Sequence, residues 1–116
     1  MTSPLKTIPE LVAEIRPTMR CLSAAEARKE MSKIQHLFID VREPAEVAEN
    51  PASGSINIPR GVIEMRILEL DQDPNLPIYI HCATGARATL AAEQLKRLGY
   101  LQVVIITCSL EGVCAI

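Results

Sequence analysis

Residues 78–100 read IYIHCATGARATLAAEQLKRLGY, a short apolar run that meets a cysteine and then turns into a helical pattern. The run LPIYIH (76–81) has the length and composition of a buried strand. Beyond the cysteine, Ala88, Ala91, Leu95 and Leu98 recur at helical spacing, Lys96 and Arg97 occupy the last turn and Gly99 is placed as C-cap. ATLAAEQLKRL (88–98) therefore reads as a helix. Between strand and helix lie Cys82 and the mostly small residues Ala83, Thr84, Gly85, Ala86 and Arg87. That order puts Cys82 at the C-terminal end of a strand, where open parallel sheets form their ligand crevice.

Outward from this stretch, strand and helix patterns alternate. PELVAEI reads as a helix that ends before Pro17, and SAAEARKEMSKI as one with capping-box spacing at Ser23 and Glu26 and a face of Ala27, Met31 and Ile34. HLFIDV is a buried-strand run that delivers Asp40 and Arg42 to one rim of the sheet. A short helix over PAEVAE follows, with Glu43 as N-cap and Pro44 in the first turn, then a strand at SINIP, a helix at GVIEMRILEL and a final strand at LQVVIIT. The alternation predicts an α/β fold: a small parallel sheet with helices on both faces.

A chain of 116 residues, 48% hydrophobic, is expected to form one domain spanning residues 1–116. A net charge of −2 and only two Tyr, one Phe and no Trp give neither the basic field nor the stacking surface for nucleic acid. No apolar run nears the ~18 residues of a membrane span, and MTSPLKTIPELVAEIR lacks a signal-peptide core. These features predict a cytoplasmic protein without nucleic-acid or membrane partners. The four cysteines, 21, 82, 108 and 114, are expected to be free thiols, and with histidines only at 36 and 81 no zinc spacing and no metal site is expected.

Cys82 could be a small buried apolar group. The loop argues for reactivity. Gly85 can adopt positive φ, which lets the N–H groups of residues 83–87 turn inward as an anion nest backed by the helix N-terminus, where a thiolate would be stabilised. Arg87 is electrostatically misplaced at a helix start unless an anion is near. Arg42, Arg60 and Arg66 could add charge at the crevice mouth or pair with nearby glutamates on the surface. Cys21, Cys108 and Cys114 sit in apolar or strand-like contexts and are read as packing residues. His81 should face away from Cys82, and His36 should be exposed.

FIDVREPAEVAENPASGSINIPRGVIEMRI and YIHCATGAR together resemble the single-domain rhodaneses. The first is similar to that family's D-V-R-E, short helix and G-A-I-N-I-P strand, aligned without a gap from Asp40 to Pro59. The second resembles its C-x-x-G-x-R loop. The likeness spans roughly residues 18–112, with Asn50-Pro51-Ala52-Ser53 where the family has G-H-I-P and a tail, SLEGVCAI, without its glycine pair and aromatic helix. The resemblance implies a sulfurtransferase that carries sulfur as a Cys82 persulfide. The donor would be a small anion such as thiosulfate, the acceptor cyanide, a small thiol or a protein thiol, with no cofactor. Residues 83–87 would bind the substrate, and Asp40, Arg42 and Arg60 would support the loop. HCATGAR also tempts comparison with the phosphatase signature H-C-x5-R, but four residues separate Cys82 from Arg87, and the phosphatase arginine position is Ala88. A loop shorter by one residue suits a single sulfur better than a phosphate with three equatorial oxygens. A rhodanese-like binding module, or a redox switch in which a second thiol resolves oxidised Cys82, remains the alternative.

Overall fold

The computed structural model describes residues 5–52 and 54–107. Cys108, Cys114, Ser53 and the tail lie outside them. The elements run α1 (Ile8–Ile15), β1 (Arg20–Leu22), α2 (Ala24–Met31), β2 (Leu37–Asp40), α3 (Pro44–Glu49), β3 (Ile56–Asn57), α4 (Ile63–Leu70), β4 (Ile78–His81), α5 (Ala86–Leu98) and β5 (Val103–Ile106). Five parallel strands form one sheet in the order β1-β5-β4-β2-β3.

Side chains of one strand parity, including Ile39, Ile80 and Ile105, pack with Ile63 and Ile67 of α4 and Ala88, Ala91 and Leu95 of α5. The opposite parity, Phe38, Tyr79, Val104 and Ile106, packs on Ala24, Ala27 and Met31 of α2. Helices thus cover both faces, as the alternation requires. α1 lies against α5, burying Val12 and Ile15. It stops at Ile15 because Pro17 cannot continue an α-helix, and the chain leaves through a 3-10 turn, Arg16–Thr18. Among the described residues no helix is long and apolar enough to cross a membrane.

Several local expectations are corrected. α2 closes at Met31, where Ser32 caps it, so Ile34 leaves the helical face and is 45% exposed. In α5 the buried stripe runs through Ala88, Ala91, Ala92 and Leu95, and Leu98 is 43% exposed beside the C-cap Gly99. β1 had no counterpart in the sequence patterning; it is a three-residue edge strand held by β5. His36 is half-buried, its ring edge-on to Tyr79 at 5.8 Å.

Candidate active site

β4 is buried at every position, and the chain leaves it straight into Cys82. Gly85 then takes φ +95°, a conformation glycine adopts without the steric cost of a Cβ, and becomes the N-cap of α5. The helix begins two residues earlier than its apolar pattern indicated, so Arg87 lies inside its first turn.

A glycine cap brings no side-chain acceptor for the first free N–H groups of a helix. The sulfur of Cys82 fills that place. Its Sγ accepts the N–H of Gly85 at 3.1 Å and of Ala88 at 3.3 Å, and the residue is 1% exposed. Of the expected loop donors, residues 83–87, Gly85 is aimed at the sulfur; the second donor, Ala88, falls one residue beyond that set. Ala83, Ala86 and Arg87 are half-buried, and Thr84 is exposed. The partial positive charge of the α5 N-terminus adds to the two donors.

Arg87 does not lie unpaired in the loop. Its Nη1 and Nη2 donate to Glu46 Oε1 and Oε2 at 2.5 and 2.9 Å, and this guanidinium, with the Glu43 backbone N–H, holds the Glu46 carboxyl down at about 2. The carboxylate that offsets a cation at a helix start therefore comes from α3. Arg87 forms a charge-balanced wall of the site.

Arg42 is likewise misplaced by the reading that set it at the crevice mouth or on the surface. It is 1% exposed, its Nε and Nη2 donating to Asp40 at 2.7 to 3.0 Å. Its Nη2 also donates to Asn50 O at 2.7 Å, and Asn57 Nδ2 donates to the carbonyls of Asp40 and Arg42. The buried cation thus ties the end of β2 to the end of α3, and the Asn57 amide ties β3 to the same stretch of backbone. Asp40 and Arg42 sit at the sheet rim as expected, and they act on the backbone there. Arg60 pairs with Glu64 one turn on, at 3.0 Å, and Arg66 is exposed on α4.

His81 faces away from Cys82, against Phe38 with ring centroids 5.0 Å apart. It is fully buried, neither ring nitrogen has a hydrogen-bond partner among the described residues, and Nε2 is 3.8 Å from Asp40 Oδ2. Burial, reinforced by Arg42 and opposed by Asp40, holds it well below its ordinary value, so the ring is neutral. Cys21 lies on the sheet face of Cys82, but its register partner Ile105 is also the partner of Ile80, so β5 separates the two thiols. Two strand spacings of about 4.8 Å exceed the 4.4–6.8 Å reach of a disulfide, which removes Cys21 as a resolving thiol in this fold. Among the described residues no cluster of three or more His, Cys, Asp and Glu could hold a metal ion.

Two residues that sequence reading passed over touch the loop. Thr89 Oγ1 donates to Gly85 O at 2.8 Å, and Arg16 Nε donates to Thr89 Oγ1 at 3.2 Å. Thr89 could have been suspected from its place one turn after the glycine. Arg16 could not.

The chain is 34% identical over 64 residues to a sulfurtransferase of Allochromatium vinosum, covering 55% of this chain and 58% of that protein. It is 33% identical over 66 residues to the thiosulfate sulfurtransferase PspE of Escherichia coli, covering 57% and 64%. It thus spans less than two thirds of the length of these curated relatives. Among solved structures, the polysulfide-sulfur transferase homodimer of Wolinella succinogenes superposes with a TM-score of 0.72 at 25% identity, covering 89% of this chain and 78% of that one. A family model described as Rhodanese-like domain matches residues 23–115, and the chain belongs to that family.

Proposed function

We propose that this protein is a rhodanese-type sulfurtransferase that carries sulfur on Cys82. The observation that supports it is the pair of N–H groups, from Gly85 and Ala88, that meet Cys82 Sγ at the start of α5. Such donors favour an anionic sulfur, first the thiolate and then the persulfide. The two curated relatives above, both named sulfurtransferases, support the same reading.

With thiosulfate as donor, the Cys82 thiolate attacks the outer sulfur, an S–S bond forms to Cys82, the S–S bond within thiosulfate breaks, and sulfite leaves with that electron pair. The enzyme then holds a persulfide anion. Cyanide attacks its outer sulfur, thiocyanate departs, and the Cys82 thiolate returns; a small thiol or protein thiol would accept sulfur in the same way. This is double displacement through a covalent intermediate. The loop, closed on one side by the Arg87–Glu46 pair, places its N–H donors before the donor binds.

Intact-mass spectrometry of the reduced protein after brief thiosulfate treatment, beside Cys82→Ser, tests this. The expected result is a gain of one sulfur atom in the unaltered protein, absent from the variant and discharged by cyanide. No gain from thiosulfate or mercaptopyruvate would overturn it.

A further inference from the structure

We infer that Arg16, contributed by the end of α1, is a specificity-determining residue that recruits anionic sulfur donors to the Cys82 loop. The inference rests on the sulfur-transfer reading for what the anion is, and on geometry for where it binds. Arg16 lies outside residues 23–115, so its helix supplies a group from beyond the matched domain.

Three observations carry it. An atom at the β-carbon position of Gly85 would lie 2.6 Å from Arg16 Nη2, so the guanidinium rests against the loop glycine. Gly85 N is itself 3.1 Å from Cys82 Sγ, which keeps Nη2 within about 8 Å of the sulfur, since the N and Cβ positions of one residue are about 2.5 Å apart. Arg16 is held there by its Nε bond to Thr89.

The third observation is charge. Arg87 is neutralised by Glu46 and Arg42 by Asp40, whereas Arg16 forms no ion pair among the described residues. It is half-buried, so its interaction with an anion would be less screened than at an open surface. The sulfonate charge of thiosulfate is present both in the bound donor and as sulfite departs. A cation beside it therefore binds ground and transition states alike, lowering KM with little effect on kcat.

The test compares iodoacetate with iodoacetamide at Cys82, read by peptide mass mapping, in the unaltered protein, Arg16→Gln and Arg16→Lys. The reagents share their chemistry and differ by one negative charge, so the ratio of their rates reports anion recruitment even if no sulfur is ever transferred. In Arg16→Gln the ratio should fall about tenfold and the thiosulfate KM rise about tenfold with kcat within about twofold, while Arg16→Lys keeps most of both. In the unaltered protein the ratio should fall as salt rises from about 0.01 to 0.3 M, a readout that needs no variant to fold. An unchanged rate ratio in Arg16→Gln, or an equal loss with both reagents alongside a lower melting temperature, would overturn the inference by reducing Arg16 to a tie between α1 and the loop. A ratio that depends on Arg16 in a protein that takes up no sulfur would uphold the anion site and overturn the sulfur-transfer reading alone.

Discussion

Arg42–Asp40 and Arg87–Glu46 are both forked guanidinium–carboxylate pairs that meet the short helix α3, yet the first has side chains 1% and 0% exposed and the second 35% and 39%. The same chemistry does different work on the two sides of that helix. Arg42 spends its remaining donors on backbone carbonyls at Glu46 and Asn50, so the buried pair fixes main chain. Arg87 spends both Nη groups on one half-buried carboxylate, so the outer pair fixes only a side chain at the edge of the Cys82 loop. An ion pair out of water is costly to break, whereas one in water is nearly free to rearrange.

Breaking the buried pair is therefore expected to have the largest effect. Arg42→Met leaves the Asp40 carboxylate buried with its guanidinium partner gone and frees the Asn50 carbonyl, and should lower unfolding stability by about 3–5 kcal/mol. Urea denaturation measures this. A loss of less than about 1 kcal/mol would make the inner pair as dispensable as a surface one.

Gly85→Ala probes the ground between the pairs. A β-carbon at φ +95° is strained, by about 1–2 kcal/mol, and it would also displace the Arg16 guanidinium. Because the same residue supplies an N–H to Cys82, persulfide formation from thiosulfate should fall much further than stability does. Comparing sulfur uptake by mass with the denaturation midpoint separates the two.

His81 gives the inner pair a pH signature. Burial lowers its value from 6.5 to about 4, so in that window the unfolded chain binds a proton that the folded chain does not. Stability is therefore complete above about 6.5 and declines as pH falls toward 4, with a slope approaching 1.4 kcal/mol per pH unit at most. His81→Leu should flatten that slope in denaturation curves recorded from pH 7 to 4.5. An unchanged slope would mean that other groups carry it.

The inner pair was readable as a rim feature because Asp40 and Arg42 lie two residues apart at the end of one apolar run. Their burial was not, since a guanidinium this deep depends on carbonyls from Glu46 and Asn50 and on the closure of β3 beside β2. The outer pair joins residues 41 apart, and the Arg16–Thr89 bond residues 73 apart, so both follow from how helices are stacked on the sheet and leave no local pattern. The same limit hid β1, a three-residue strand whose only reason to be extended is its neighbour β5. Where the signal was contiguous, as in the runs that became β2, β4 and β5 or in the cysteine, glycine and helix of the loop, a local period was enough. It failed at Ile34, where apolar spacing continues past the cap Ser32, and at Leu98, the last helical residue before Gly99, which keeps the spacing while the buried stripe ends at Leu95.

The smallest effect is expected from the outer pair, and it decides what Arg87 is for. Glu46→Gln removes the charge that holds Arg87 to α3 while keeping the shape. Stability at pH 7 should hardly move, because both groups stand partly in water. The Glu46 contribution itself is present above the ordinary carboxylate value near 4.5 and lost only as pH falls toward about 2. With the guanidinium released, the site gains a net positive charge, and the KM for thiosulfate should fall about two- to threefold at low salt, an advantage that added salt erases. If kcat falls instead and KM stays, the pair is holding the loop in shape. Arg87 would then be a positioning residue in the same sense as Arg42, and the contrast between the two pairs would be one of exposure alone.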